Sequence, residues 1–451
     1  MSDSSTGDGP VEAGPSATPE PYPSARMSWY AVSVLLIAYT IAFIDRTILA
    51  LMVGPIQRDL GISDTAMGLL HGIAFALFYC LLGVPIARLS DRYSRRWIIV
   101  IGMTVWSLMT ALCGMAKSFL QLFLARVGVG VGEATLSPAA YSMIADLFPP
   151  KQLGRALGVY SSGVFFGAGI AFIVGGTVVS AVQSLGPLHW PLIGEIRAWQ
   201  AVFFIVGLPG VLFALLVLTV PEPKRRRLPA SAEAGGNSGL IRYLRGNTRV
   251  VMGHFLGFSA LGVIFNGFIA WAPTQLIRDF GVDASQAGTA LGTGIFVFGG
   301  AGIIVGGMVA DRLARAGKDD ANLRAGVIGG LGLIPCSVLA PLMPSFGSSA
   351  AVYALFFFFA SFPFGAAAAA LQIMTPPNLR AQISAIYLLV LNLLGIGLGP
   401  LLVAGMSDYL LGGKQSIGLA MAITGGVMAP LGALVLFVSF GPYRQLVAAH
   451  R

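Results

Sequence analysis

Charge is scarce in this chain. Of its 451 residues only 10% are Asp, Glu, Lys or Arg, against 56% hydrophobic, and the mean hydropathy is +0.80. Soluble domains carry about 25% charged residues, so a water-soluble globule is excluded. Cysteine is nearly absent. The three present, Cys80, Cys113 and Cys336, sit in apolar runs and read as small core residues, which argues against a disulfide framework or a metal site. The four histidines lie far apart, and there is no His-Glu-x-x-His and no Gly-x4-Gly-Lys-Ser/Thr phosphate loop. No enzyme, no cofactor and no ATP-driven pump is therefore expected. The 59 glycines imply close helix packing and hinges.

Long stretches without charge are what the chain does have: 97–116, 250–277, 284–310, 325–379, 381–407 and 415–443. A membrane helix needs about 20 mainly apolar residues. The run 325–379 must then fold back, and Pro341-Leu342-Met343-Pro344-Ser345 marks the turn. Splitting at such turns places twelve spans near 28–52, 66–88, 97–116, 119–145, 154–182, 199–220, 250–276, 285–310, 324–343, 349–374, 380–407 and 416–440. The apolar runs are continuous, which excludes the ten-residue alternation of barrel strands. The expected fold class is an all-α, multi-pass membrane protein.

Lys and Arg orient the bundle. With twelve spans, 21 of the 28 fall on the side shared by both termini. Five lie opposite (Arg58, Lys117, Arg197, Arg278, Lys414), and Arg46 and Arg126 lie inside spans. The positive-inside rule makes the rich side cytoplasmic, in a plasma membrane. This topology accounts for the net charge of +9 without any nucleic acid. Residues 1–27 read as a disordered cytoplasmic tail with no cleavable signal, 28–220 as one six-helix bundle, 249–443 as a second, and 444–451 as a tail. Between the bundles, 221–248 reads as a cytoplasmic linker carrying Lys224-Arg225-Arg226-Arg227, with a short basic surface helix at 240–245. Its basic run is explained by topology and attraction to anionic lipid.

The two halves repeat each other. Ala87-Arg88-Leu89-Ser90-Asp91-Arg92 follows span 2, with Arg95 and Arg96 beyond; Gly307-Met308-Val309-Ala310-Asp311-Arg312 follows span 8. Gly163-Val-Phe-Phe-Gly167-Ala168 in span 5 pairs with Gly395-Ile-Gly-Leu-Gly399-Pro400 in span 11. Duplicated halves are typical of secondary transporters, with the substrate site between them. In each Asp-Arg loop a small residue permits close helix approach, and the Asp can accept from a helix N-terminus or pair with Arg. Asp91, Arg92, Arg95, Asp311 and Arg312 are therefore candidate gating residues, with a static loop tether as the alternative.

These loops, the duplication and Arg126-x-Gly-x-Gly-x-Gly-Glu133 resemble the major facilitator superfamily across 28–443. Phe43-Ile44-Asp45-Arg46, with the span 4 motif and Gly158-Val-Tyr-Ser-Ser-Gly163, resembles the spinster family of lipid transporters more narrowly. Ala87 and Ser94 stand where the first loop motif usually has Gly, and Ala168 where antiporter-type members have Pro. The spinster resemblance implies that Asp45 and Glu133 form a proton switch with Arg46 and Arg126 beside them. It also implies a cargo like sphingosine-1-phosphate or a lysophospholipid, driven by a proton gradient.

The four charges support a site on their own terms. Charges in hydrocarbon are rare and mark functional cavities. Arg126 and Glu133 lie two turns apart on one helix face, and the glycines at 128, 130 and 132 are expected to clear space around them. Burial raises a carboxylate's pKa and a nearby Arg lowers it, so moving the Arg would switch proton affinity. A guanidinium fork also suits a phosphate or carboxylate head group. The alternative is a static salt bridge that only fixes packing.

The second half carries no charge in its spans. Phe296, Phe298, 356–359, Phe362 and Phe364 are expected to form an apolar cavity wall. Tyr79, His71, Asn266 and Asn392 join Arg46 and Arg126 as candidate substrate contacts, while Gln372 and Tyr387 are further isolated polar residues. Three functions stay open: a proton-coupled transporter of an anionic lipid, a facilitator or antiporter for a small organic anion or drug, and a non-transporting membrane receptor. One chain suffices for a pathway, so a monomer is expected.

Overall fold

The computed structural model describes residues 22–185, 188–190, 194–225, 237–413 and 416–449. The expected tail over 1–21, Arg226 and Arg227 of the basic run, and Lys414 lie outside them. Among the described residues, twelve helices are long and apolar enough to cross a membrane. They are spans 1 (Ala25–Leu51), 2 (Asp64–Gly83), 3 (Arg95–Cys113), 4 (Phe119–Leu147), 5 (Lys151–Ser184) and 6 (Ala198–Leu218). Spans 7 (Thr248–Phe280), 8 (Ala284–Arg315), 9 (Ala321–Leu342), 10 (Phe346–Met374), 11 (Gln382–Leu410) and 12 (Ile417–Ala449) follow. All twelve expected spans recur. The last one is longer than expected: after a step at Ser439 it continues as Phe440–Ala449, where the sequence suggested a tail.

Local chemistry sets the boundaries. Ser24, Ser63, Ser94, Ser118, Asp283 and Ser345 each cap a helix by accepting a backbone N–H. Gly61 and Gly281 end helices in the left-handed conformation, both at φ 65°. A helix at Asn237–Gly246 bears out the expected linker helix, and a small hairpin, Leu188–Trp190 with Gly194–Ile196, precedes span 6. That hairpin had no counterpart in the sequence reading.

The seam between the halves is built from spans 2, 5, 8 and 11, and each is interrupted. Span 2 breaks at Gly72, span 5 at Ser162, and spans 8 and 11 carry π-helical segments at Gly294–Gly299 and Leu393–Leu398. Single π segments often accompany functional sites. Small residues let these helices touch through their backbones. A Cβ on Gly292 would lie 2.6 Å from the Gly169 oxygen, and one on Gly72 would collide with the Gly397 oxygen.

The hydrogen bonds that join the halves gather toward the face away from the linker. Arg278 donates to both Asp64 oxygens (3.1 and 2.8 Å) and to Gln57 Oε1 (2.7 Å). The Thr65 N–H reaches Asp408 (2.6 Å), the Ser285 N–H reaches Ser180 Oγ (3.0 Å), and Ser407 Oγ reaches Asp64 (3.3 Å). Toward the linker the contacts thin to Cys80 Sγ near the Leu389 oxygen at 4.0 Å. The halves are thus zipped on one face and part toward the other.

On the linker face each half is clamped onto itself, with opposite polarity. Arg95 at the start of span 3 holds Glu222 just after span 6 (2.9 Å). Asp320 at the start of span 9 holds Arg324 (2.7 Å) and Arg444 near the end of span 12 (3.6 Å).

Glycine packing inside the first half gives a stability prediction. A Cβ at Gly132 would lie 2.6 Å from the Trp106 nitrogen, whereas nothing lies within 4 Å of one at Gly154. Gly132→Val should lower the melting temperature and folded yield through overpacking of about 1–3 kcal/mol. Gly154→Val should leave both within error, measured by fluorescence-detected size exclusion after heating.

Candidate functional site

Asp45 and Arg46 end the α-helical part of span 1, which tightens to a 3₁₀ turn at Ile48–Leu51. Glu133 ends the first helix of span 4, Phe119–Glu133, before a short break. The structure brings all four intramembrane charges together. Arg46 Nη2 pairs with Glu133 Oε1. Arg126 Nη1 donates to the main-chain oxygen of Asp45 at 3.2 Å. Asp45, Arg126 and Glu133 are 0%, 0% and 2% exposed, so the pocket is drier than a water-filled cavity would be. Arg46 alone keeps a side-chain opening, of 18%. Its guanidinium lies over the rings of Phe75 (4.4 Å), Phe43 (4.9 Å) and Tyr79 (5.7 Å), a cation–π arrangement.

The cluster is only partly satisfied. Both Asp45 oxygens, Glu133 Oε2, Arg46 Nε, and Arg126 Nε and Nη2 are buried without a partner. Isolated charges at the centre of a membrane cost about 2.5–3.5 kcal/mol on insertion scales. A set with unused donors and acceptors can re-pair at low cost, which a fully satisfied structural salt bridge cannot.

The glycines of span 4 do not clear space as expected. A Cβ at Gly130 would lie 2.5 Å from the Phe75 oxygen, and one at Gly128 would lie 2.6 Å from Met109 Sδ. They draw span 4 against spans 2 and 3, and so place Arg126 and Glu133 by close packing.

The other expected residues divide. Tyr79 joins the cluster, stacked on Phe75 at 5.3 Å. His71, 8% exposed, lies on the seam with its ring 5.9 Å from Trp271. Asn266 donates back to the Gly262 oxygen of its own helix (2.9 Å), an intrahelical bond. Asn392 is half-buried at the start of the span 11 π segment. The aromatic wall is smaller than expected. Phe356, Phe357 and Phe362 are core, at 0%, 0% and 4% exposure, because span 10 is packed on several sides. Phe296 and Phe364 stay open at the seam, against Phe166 (4.9 Å) and Phe165 (5.3 Å). Gln372 bonds Ser384 (3.1 Å), and Tyr387 is buried beside His254 (5.0 Å).

Among the described residues, the two Asp-Arg loops make no latch contact in this conformation. Asp91, Arg92, Asp311 and Arg312 are exposed on the parted face, and no described partner meets the two carboxylates. Arg95 is the exception, 1% exposed and committed within its own half. It reaches Glu222, Asp146 and the Ser142 hydroxyl (3.0 Å), while Arg225 caps the Asp91 oxygen and the Ser90 and Tyr93 oxygens (2.8 and 2.7 Å). Sequence reasoning missed Glu222 and Asp146, although Pro221-Glu222-Pro223 directly after span 6 was a visible signal. It also missed the Asp64–Arg278 lock. Arg278 is one of few cations on its face, which could have flagged it.

Glu222 lies outside the spans. Its burial works against ionisation, but the Arg96 N–H, the Ser94 hydroxyl and Arg95 together hold its carboxyl below the ordinary 4.5. A depressed folded-state pKa stabilises above the unfolded value and loses that stability as pH falls through the folded value. Glu222→Gln should therefore flatten the acid limb of a melting-temperature profile below about pH 4.5 and change little at neutral pH. For the opposite face, Arg278→Gln and Asp64→Asn should each raise labelling of an introduced Ser407→Cys by a membrane-impermeant maleimide. Unchanged labelling in both would remove Asp64–Arg278 as the lock.

The Major Facilitator Superfamily model matches residues 35–400. An "MFS-type efflux pump" of Mycolicibacterium smegmatis is 31% identical over 428 residues, covering 93% of this chain and 94% of that protein. A "Probable L-galactonate transporter" of Escherichia coli is 28% identical over 65% of this chain and 63% of its own length. A crystal structure described as a bacterial homolog to the human lysosomal transporter Spinster, inward-facing and unoccupied, superposes with a TM-score of 0.76. It is 28% identical and covers 94% of this chain and 98% of that one.

Proposed function

This chain belongs to the Major Facilitator Superfamily of membrane transporters, and we propose that it couples proton movement to the transport of an anionic amphiphilic lipid. The observation that carries the reading is the half-satisfied charge cluster: Arg46 on Glu133, Arg126 on a main-chain oxygen, and Asp45 beside it with neither oxygen engaged. The linker face is taken as cytoplasmic on its excess of Lys and Arg, in a plasma membrane, with one chain forming the pathway.

In the state described, the halves are closed at Asp64–Arg278 and parted toward the linker. An anionic head group entering from the parted face meets Arg46, the one charge with an opening. Binding there competes with Glu133 for the guanidinium. Glu133 then takes a proton, and Arg126 is drawn from the Asp45 oxygen toward carboxylate or ligand. Rocking the halves would break Asp64–Arg278 and bring the loops at Asp91 and Asp311 together, which keeps these residues as proposed gates. Tyr79 and His71 line the approach from the first half, and Asn266 and Asn392 from the second.

A lipid tail suits the apolar openings at the seam, where Phe166, Phe296 and Phe364 are 39%, 39% and 40% exposed. The spinster resemblance of the motifs in spans 1, 4 and 5 implies the same class, and the Spinster homolog structure shares the fold over 94% of this chain. A second reading, a sugar acid or other small organic anion, is favoured by the name of the Escherichia coli relative. It uses the same arginines without the seam.

Proteoliposomes test both. Counterflow of labelled lysophospholipid should be competed by lysolipids and not by hexonates, and an imposed pH gradient should drive net uptake. Asp45→Asn and Glu133→Gln should each abolish the gradient response while leaving expression intact. Competition by hexonates alone would transfer the assignment to the second reading, and gradient-driven uptake intact in both mutants would remove the proton role.

A further inference from the structure

Span 3 carries no charge between Trp97 and Cys113, yet it buries two polar side chains against the charge cluster. Trp106 and Thr110 are four residues apart, hence on one helix face, and both are 0% exposed. Trp106 Nε1 and Thr110 Oγ1 lack hydrogen-bond partners. Both present these atoms to the Asp45 carboxylate, short of a completed hydrogen bond. Both Asp45 oxygens and the Nε and Nη2 of Arg126, whose Nη1 is on the Asp45 main-chain oxygen, are likewise buried and unpartnered.

An indole N–H can only donate, and a buried donor left without an acceptor costs about 1–3 kcal/mol. Three elements supplying unfilled polar atoms to one point fit a bound water, which needs two to four polar partners. Close packing holds the arrangement. A Cβ at Gly132 would meet the main-chain nitrogen of Trp106 at 2.6 Å, and one at Gly207 would meet Thr110 Cβ at 3.1 Å, so span 3 cannot slide without moving spans 4 and 6.

We propose that Trp106 and Thr110 are positioning residues of the proton site, cradling the Asp45 carboxyl through a shared water while Arg126 stays on the Asp45 main-chain oxygen. Protonation forms one O–H bond at an Asp45 oxygen as one O–H bond of a protonated water breaks, and release reverses it. Arg126 needs no partner exchange for loading and is left to respond to the head group. The charged and titratable groups facing Asp45 are Arg126 and Glu133 from span 4 and Cys113 from span 3, with Arg46 adjacent in the chain. The Tyr39–Tyr160 ring pair lies further along span 1, and His71 lies beyond Arg126. The helices Gly163–Ser184 and Ala198–Leu218, which also pack on span 1, contain no titratable residue. This inference rests on Asp45 being a proton carrier.

Infrared difference spectra of the purified full-length protein across pH separate the two ideas. A protonated-carboxyl band that disappears in Asp45→Asn is expected. Trp106→Phe and Thr110→Val should move its midpoint in the same sense by about one pH unit, the equivalent of one hydrogen bond. Thr110→Ser should restore it. If the band is present but Trp106→Phe and Thr110→Val leave its midpoint in place, the cradle is refuted and the transport reading stands. If no band depends on Asp45, the proton-carrier reading falls and the cradle with it. Trp106→Phe decides the question by itself should Thr110→Val fail to fold.

Discussion

The molecule is organised around the cost of holding an ion where water is scarce. Arg46 and Glu133 pair inside the first bundle, and Phe43, Phe75 and Tyr79 add ring faces to the guanidinium. The same cost bears on span 4, whose glycines pack it against spans 2 and 3 while Arg126 and Glu133 meet Asp45 and Arg46 of span 1. It also explains why the cluster is confined to one half. Charges on both sides of the seam would have to be stripped of partners each time the halves separate.

The seam follows the opposite rule. Its contacts are backbone against backbone at small residues, such as Gly169 against Gly292, and these break and reform without leaving a charge behind. Polar groups sit at the ends, where solvent can take over: the Asp64–Arg278 pair on one face and the exposed Asp-Arg loops on the other. A transporter built this way keeps its chemistry rigid and its interface loose. The interruptions at Gly72, Ser162 and the two π segments place bending points at mid-depth in the helices that must move.

Much of this was legible in the sequence. The twelve spans stand out because apolar length is a local property, and the duplication because motif spacing is. Asp45, Arg46, Arg126 and Glu133 were visible because a charge stands out in an apolar run. What stayed hidden was pairing across sequence distance. Arg95 looked like one more loop cation, and nothing local tied it to Glu222 and Asp146. Arg278 was counted as a loop cation, and nothing local tied it to Asp64. The phenylalanines of span 10 were misplaced for a related reason. A helix apolar all round gives no periodicity from which to tell core from cavity.

The reversed clamps carry a consequence for how the chain is made. The N-terminal bundle has its first carboxylate for Arg95 once Asp146 is synthesised, but receives the second only when Glu222 emerges, after the sixth span. Asp320 meets Arg324 four residues on, and gains Arg444 only at the end of the twelfth. Each bundle therefore ends with the residue that closes it. Glu222 precedes every charged residue of the second bundle, so during vectorial synthesis, where earlier segments fold first, the clamp of the first lobe can be complete before a rival anion such as Asp320 emerges.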